Sequence, residues 1–275
     1  MSPVPGVDAL VAAVLAGEHG PLPAASVATS VFWIHHGTRL AGGATTYLNQ
    51  YVLVRLGGSF GGCAFEDGEL DPALCRVYSG APLDVLLREG PRALRIAALD
   101  AYLSEVRPHR RAAEAAEAEP VTLPAGTPEV RAVARDAAIA GLLDIEEGAR
   151  VGLIGVVNPL VAAIRERGGV PLPCDLNLKA TQWGDPVTSD MHEVLDRADA
   201  VVATGMTLSN GSFDVVLERC RARGIPLVVY AQTGSAVARA FLGSGVSALS
   251  AEPFPFSQFS AEETVLYRYR TASRA

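Results

Sequence analysis

The order in which helix-like and strand-like patterns of hydrophobic residues follow one another changes near the middle of the chain. In the first part, apolar and β-branched runs lie between helical patterns, and Gly57-Gly58 separates two of these runs as a hairpin turn would. This order predicts a small α+β unit with an antiparallel sheet. Its predicted elements are helices at 8–15, 82–87 and 91–103 and strands at 25–34, 47–56 and 59–65.

From Arg150 onward, short apolar strands alternate with helical segments, which is typical of βαβ units in a parallel sheet. Pro171 and Pro173 lack an N–H for the ladder, so they confine the second of these strands to an edge. The sequence therefore predicts a Rossmann-like half with a mostly parallel sheet. Its strands are predicted at 151–154, 170–176, 200–203, 225–231 and, as the last one, 246–250.

The stretch between these two halves has a different composition. It is rich in alanine and glutamate at 113–119, contains three prolines, and continues into a helix from 129 to about 143. This composition is typical of a linker. We therefore predict an N-terminal α+β domain at 1–110, a linker and helix at 111–147, and a Rossmann-like domain at 148–275.

Composition and charge limit the classes of protein to which the chain can belong. The chain of 275 residues is 49% hydrophobic and 19% charged, which provides for a substantial core. A net charge of -7, with one basic cluster at 107–111, argues against a nucleic-acid partner. The four cysteines form no C-x-x-C pair, and neither a signal sequence nor an apolar run of membrane-spanning length is evident. We expect a cytoplasmic protein without a membrane partner; a homo-oligomer remains open.

The stretch 198–214, A-D-A-V-V-A-T-G-M-T-L-S-N-G-S-F-D, predicts a strand, a polar loop and a helix. Such a loop lies at the carboxyl end of a parallel strand, where open α/β sheets bind ligands. Thr204, Thr207, Asn210 and Asp214 are its candidate ligand-binding residues. The alternative is that these side chains serve only turn and capping chemistry.

Two other turns of the second half are candidate ligand sites. After the first strand, Val156 and Val157 stand where a G-x-G-x-x-G nucleotide fingerprint would need glycine, although Asp175 has the spacing of a ribose-binding acid. Asn158 is a candidate binding residue that helix capping would also explain. Thr233, Gly234 and Ser235 resemble an anion-binding turn at a helix start, or equally a plain serine cap.

His35 and His36 are the most reactive pair of the first half and the candidate catalytic residues. Neighbouring residues on a strand face opposite sides, so both histidines can ligate one metal only if the strand has ended. Gly37, followed by a Gly-Gly-Ala-Thr-Thr loop at 42–46, suggests that it has. The alternative is one structural and one exposed histidine.

Several motifs resemble those of the "putative heavy-metal chelation" family, a former domain of unknown function. They are T-G-M-T-L-S-N-G-S-F-D at 204–214, V-G-L-I-G at 151–155 and G-D-P at 184–186. The resemblance covers most of the chain and is more specific in the second half. It implies an enolase-N-terminal-like α+β domain, a Rossmann-like domain and a cleft between them.

By matching positions, the resemblance implies that Asp185 and Asn158 line this cleft together with the 204–214 residues. The chain departs from the family pattern in three places: A-Q-T-G-S at 231–235, Asp100 in place of asparagine, and the histidine pair.

Two functions are therefore expected from the sequence. The first is binding of a metal ion, as a divalent transition metal, or of a metal-chelating small molecule, with His35, His36, Asp175 and Asp185 as metal ligands. The second is a small-molecule metabolic enzyme that uses the same cleft for an anionic substrate or a nucleotide-type cofactor, with a histidine as acid or base.

Overall fold

The computed structural model describes residues 4–39 and 46–271 and divides them between two β-sheets. The predicted glycine-rich loop at 42–46 lies, except for Thr46, outside the described residues. The N-terminal half forms the smaller sheet and the helices around it. Its elements are α1 (Val7–Leu15), β1 (Ser30–Thr38), β2 (Tyr47–Leu56), β3 (Ser59–Phe65), α2 (Leu74–Tyr78), α3 (Leu83–Glu89), α4 (Arg92–Val106) and α5 (His109–Glu114), with a 3-10 turn at Pro23–Ala25.

The larger sheet and its helices are built from the rest of the chain. They are β4 (Glu119–Leu123), α6 (Pro128–Ala140), β5 (Arg150–Ile154), α7 (Asn158–Glu166), β6 (Val170–Cys174), α8 (Met191–Arg197), β7 (Ala200–Thr204), α9 (Met206–Asn210), α10 (Phe213–Arg223), β8 (Leu227–Ala231), α11 (Ser235–Arg239), β9 (Ala248–Ala251) and β10 (Thr264–Arg270), with a 3-10 turn at Ser257–Phe259.

The larger sheet has the strand order β4-β10-β9-β8-β7-β5-β6. Strands β5 to β9 are parallel to one another, whereas β10 pairs antiparallel with both β9 and β4. The smaller sheet is antiparallel in the order β1-β2-β3. This confirms the predicted α/β class, with a small antiparallel sheet followed by a mostly parallel one. Strand β6 lies at an edge, as its two prolines predict.

Two strands of the larger sheet were not predicted. The prediction that 246–250 holds the last strand is wrong, because β10 follows it and inserts between β9 and β4. Strand β4 falls within the predicted linker; of its residues only Leu123 is buried, so it carries no apolar run that would reveal it. The division into domains at 1–110, 111–147 and 148–275 stays a prediction.

Strand β1 also differs from its prediction. It begins at Ser30 rather than at residue 25, and it continues past Ile34 to Thr38. Within it, His35 pairs with Gln50 and His36 pairs with Asn49, so the ladder includes both histidines. The expectation that the strand has ended before Gly37 is therefore wrong, because pairing with β2 extends β1 through this glycine.

Helix α4 connects the two sheets. Eleven of its 15 residues are buried, and it packs against β3 on one side and against α9 and α11 on the other. The approach to β3 is so close that a Cβ atom on Gly61 would lie 2.0 Å from the backbone nitrogen of Ala101. A single hydrophobic core cluster consequently includes side chains from both halves of the chain.

Over the residues that the model describes, no helix is long and apolar enough to cross a membrane. All four cysteines lie in this part of the chain and are free thiols.

Candidate functional site

The carboxyl ends of the parallel strands meet around Gly155, at the position where open α/β sheets have their ligand-binding crevice. Strands β6 and β7 lie on opposite sides of β5 in the sheet, so the strand order reverses at β5. Gly155 has a φ of +86°, and a Cβ atom on it would lie 2.5 Å from the Thr204 methyl carbon. The Tyr230 hydroxyl donates to the Gly155 carbonyl at 3.0 Å. Burial raises the pKa of Tyr230, so the phenol remains a hydrogen-bond donor.

Polar side chains meet beside this crevice, at the ends of β8 and β9. Gln232 directly follows β8, and its amide donates to Glu252 at 2.9 Å and to Gln258 at 2.7 Å. The Gln258 amide in turn donates to the Tyr51 hydroxyl of the smaller sheet at 3.3 Å. The backbone N–H of Ser257 donates to the second carboxylate oxygen of Glu252. These bonds connect both sheets through one polar group.

Helix α6 adds a buried ion pair to this group. The Arg135 Nε donates to Asp136 Oδ1 at 2.9 Å, and the Asp136 side chain is only 1% exposed. Its other oxygen, Oδ2, has no hydrogen-bond partner in the described part of the chain. Burial raises the pKa of Asp136, the charge of Glu252 adds to this rise, and Arg135 opposes it. We call the set of Asp136, Arg135, Gln232, Glu252, Gln258 and Tyr51 the edge cluster.

The edge cluster contains residues that the sequence analysis missed. Glu252 and Gln232 each stand immediately after an apolar strand, and this position is the signal that would have identified them. Asp136 and Arg135 gave no such signal, because they are charged residues within a predicted helix and do not follow a strand.

The two predicted metal-binding aspartates are engaged in structural contacts. Asp175 accepts hydrogen bonds from the backbone nitrogens of Val156 at 3.0 Å and Asn177 at 2.9 Å, which closes the turn after β6. Asp185 accepts from the Thr181 hydroxyl and forms an ion pair of 2.7 Å with Arg165. These two contacts, in that order, lower the pKa of Asp185.

The two histidines lie on opposite faces of β1. The exposed ring of His35 packs against Trp33, with 5.1 Å between the ring centroids. The ring of His36 packs at 5.1 Å against Phe259, near the edge cluster, and its Nδ1 has no hydrogen-bond partner in the described residues. The structure thus places one histidine near the edge cluster and the other away from it.

The polar residues of the 204–214 stretch form mostly local hydrogen bonds. The Thr207 hydroxyl donates to the Thr204 carbonyl at 2.7 Å within the first turn of α9. Asn210 accepts from the Ser212 backbone at 3.0 Å before α10. The Asp214 carboxylate accepts from the Val7 nitrogen at 3.1 Å, at the start of α1. Of the predicted binding residues in this stretch, Thr204 lies at the crevice.

The Asn158 side chain accepts a hydrogen bond from the Gln182 backbone at 2.9 Å, so it fastens the β6–α8 connection to the start of α7.

The predicted anion turn at Thr233, Gly234 and Ser235 faces helix α4. The carboxylate of Asp100 accepts from the Ala236 nitrogen at 2.8 Å and from the Gly62 nitrogen at 2.9 Å. The protein's own carboxylate therefore occupies the helix start that the sequence suggested for an anion. Burial raises the pKa of Asp100 to about 6, although these backbone hydrogen bonds oppose the rise.

A metal centre made by the protein alone requires several donor side chains close together. In residues 4–39 and 46–271, no group of three or more histidine, cysteine, aspartate or glutamate side chains is placed to hold a metal ion. The predicted set of His35, His36, Asp175 and Asp185 is therefore not assembled. Asp136 Oδ2 is the buried side-chain oxygen that lacks a hydrogen-bond partner among the described residues.

Comparison with known proteins gives a family match and a fold match. The family model described as "Putative heavy-metal chelation" matches residues 137–251. A search of the curated proteins finds no match.

Two solved structures share the fold over nearly the whole chain. A protein of unknown function from Desulfitobacterium hafniense DCB-2, of the same family, is 15% identical with a TM-score of 0.61, and the match covers 96% of each chain. A second family member of unknown function, from Pyrococcus horikoshii, is 17% identical with a TM-score of 0.56, over 95% of this chain and 100% of that one. The family match thus confirms the resemblance predicted from the sequence, and residues 137–251 are similar to the heavy-metal chelation family.

Proposed function

We propose that the protein binds a metal ion carried by a small-molecule chelator, at the carboxyl edge of the larger sheet. The observation that carries this proposal is the buried Asp136 carboxylate, whose Oδ2 lacks a partner in the described residues. Asp136 and Glu252 are 1% and 3% exposed, and Arg135, the cation of the edge cluster, forms an ion pair with Asp136. When both carboxyls are ionised, the edge cluster holds one uncompensated negative charge, which favours a cationic ligand.

A chelated ion suits the edge cluster better than a bare ion. Transition metals bind four to six ligands, as a rule, whereas the described residues assemble no group of three donors. An organic chelator supplies the remaining ligand atoms. The amides of Gln232 and Gln258 and the hydroxyl of Tyr51 provide donors and acceptors for its polar groups.

An aromatic wall beside the edge cluster provides a surface for the organic part of this ligand. Phe256 is buried, whereas Phe254 and Phe259 are partly exposed. Phe259 packs against the Tyr51 ring at 6.3 Å and against the His36 ring at 5.1 Å. A planar chelator can stack on such a surface. His36 is the predicted histidine that we propose as an additional contact; His35 lies on the other face of β1.

The experiment compares three titrations into the full-length, untagged protein by calorimetry. The injectants are Ni²⁺ alone, pyridine-2-carboxylate alone and their preformed one-to-one complex, which carries one positive charge. We expect saturable binding of the complex at about one site, at least tenfold tighter than binding of Ni²⁺ alone. Equal or tighter binding of bare Ni²⁺ would contradict a chelate site.

Two substitutions test whether the nickel complex binds at the edge cluster. Glu252→Gln and Asp136→Asn each remove one negative charge, so we expect them to weaken binding of the complex about tenfold. Asp144→Asn, on an exposed residue beyond the end of α6, is the matched control and should leave the affinity unchanged. The metabolic-enzyme alternative predicts instead that an organic acid alone raises the melting temperature and that metal adds nothing.

A further inference from the structure

A second cavity lies on another side of the molecule, between the α4–α5 corner and α11. Its volume is about 780 Å³, which lies within the range of small-molecule sites. Part of its wall is apolar, from Leu103, Val106 and Leu242. None of the edge-cluster residues lines it, so it is separate from the crevice described above.

Arginines dominate the charged lining of this cavity. The charged and titratable residues that line it are Arg107, Arg111, Arg239, Arg270, Glu117, His19 and Tyr269. None of the four arginines forms an ion pair with any described residue. The Arg270 guanidinium donates to the carbonyls of Gly141 and Leu142, outside the lining. Burial and the charge of Arg107 lower the pKa of His19, which agrees with an electropositive surrounding. The chain as a whole has a net charge of -7, so the positive charge around the cavity is a local feature that is opposite in sign to the net charge of the protein.

A buried hydrogen-bond chain fixes one of these arginines in place. Arg239 donates to the Tyr269 hydroxyl at 3.3 Å and to the Arg107 carbonyl. The Tyr269 hydroxyl lies 2.7 Å from His109 Nδ1, and His109 Nε2 lies 3.2 Å from the Ser235 hydroxyl. Burial and the charge of Arg239 lower the pKa of His109 to about 3, so the imidazole is neutral. We assign its proton to Nε2, because Tyr269 then donates to Nδ1.

We propose that this cavity binds a small organic anion, with an apolar body and carboxylate or phosphate groups that carry at least two negative charges. Planar guanidinium groups match the oxygens of both acid types, so the arginines fit either source of charge. The apolar wall favours an organic anion over an inorganic one. Arg239 is preorganised by Tyr269, whereas Arg107 and Arg111 have exposed side chains that can close on the ligand.

The test is a calorimetric titration of the full-length protein with three probes at constant ionic strength. The probes are isophthalate, a dicarboxylate; phenyl phosphate; and inorganic phosphate. We expect saturable binding of at least one organic probe, at least tenfold tighter than inorganic phosphate. The tighter of the two organic probes identifies the acid group. Absence of binding by both organic probes at millimolar concentration would overturn the proposal.

Neighbouring arginines of α5 provide a matched pair of variants. Arg111→Gln removes a guanidinium that lines the cavity, and we expect it to weaken the organic probe about tenfold or more. Arg110→Gln is the control, because Arg110 does not line the cavity and instead pairs with Glu114. Equal effects of the two substitutions would overturn the proposal.

The variants of the edge cluster separate this proposal from the proposed function. Glu252→Gln should leave anion binding unchanged, and Arg111→Gln should leave binding of the nickel complex unchanged. Loss of anion binding in Glu252→Gln, with full binding in Arg111→Gln, would place the anion at the carboxyl edge and overturn the arginine site.

Discussion

At the scale of single residues, Asp100 shows how position changes the chemistry of a side chain. Its carboxylate is 3% exposed and connects β3 to the first turn of α11 through the nitrogens of Gly62 and Ala236. The sequence identified Asp100 as a departure from the family pattern but could not show its partners, because Gly62 and Ala236 come from two distant elements. The same limit applies to Glu252 and Asp136, whose proximity depends on the packing of α6.

The raised pKa of Asp100 predicts a pH-dependent stability. Because its folded-state pKa of about 6 exceeds the ordinary aspartate value of 3.8, the folded protein binds more protons between these values. Its contribution to stability therefore falls as pH rises from 4 to 7. Relative to Asp100→Asn, the natural protein should lose about 2 kcal/mol of unfolding free energy over this interval. Urea unfolding at both pH values measures this difference; parallel pH dependence of the two proteins would refute it.

At the scale of elements, α6 agrees with the predicted helix at 129–143, but its apolar residues do not alone mark the buried face. Val130 and Val133 are 50% and 60% exposed. Arg131 and Asp136 are buried at 2% and 1%. Arg131 donates to the carbonyls of Pro124 and Ser257, so contacts with unpredicted segments decide the orientation of the helix. In contrast, the central parallel strands β5, β7 and β8 were predictable because they are largely buried on both faces and read as apolar runs.

The contact between α4 and β3 predicts that alanine substitutions at two glycines of the β2–β3 hairpin differ in their cost to stability. A Cβ on Gly61 would meet backbone atoms of α4 at 2.0 Å and 2.3 Å, and backbone cannot move aside cheaply. Gly61→Ala should therefore destabilise the protein by about 3 kcal/mol or more. Gly58→Ala is the control, because its nearest atom is 4.0 Å away, and it should cost about 1 kcal/mol or less. Chemical unfolding of both variants tests this, and equal losses would contradict it.

At the scale of the whole molecule, the two sheets are joined by buried polar contacts as well as by the hydrophobic core. The edge cluster connects them through Tyr51, and Asp100 connects them through Gly62. His109 of α5 forms further buried polar contacts, with Tyr269 of β10 and Ser235 of α11. Composition and periodicity predicted both sheets. They could not predict these connections, because each depends on side chains brought together only when the halves pack.

The lowered pKa of His109 predicts that the free energy of unfolding of the natural protein decreases in acid. Its folded-state pKa of about 3 is below the ordinary histidine value of 6.5, so the folded protein binds fewer protons between these values. Stability from this group is present above pH 6.5 and is lost as pH falls toward 3. Relative to His109→Gln, the natural protein should lose about 2 kcal/mol between pH 7 and pH 5. The exposed His192→Gln is the control for urea unfolding. An unchanged difference between His109→Gln and the natural protein at the two pH values would contradict the prediction.

The proposed binding of a chelated metal at the carboxyl edge of the larger sheet can be tested in a crystal. A crystal of the full-length protein is soaked with the one-to-one nickel complex of pyridine-2-carboxylate and measured at the nickel absorption edge. We expect one anomalous peak at the edge cluster, beside Asp136 and Glu252, with the chelator against the wall of Phe254 and Phe259. A peak in the arginine-lined cavity, or no ordered nickel at the edge cluster, would contradict it.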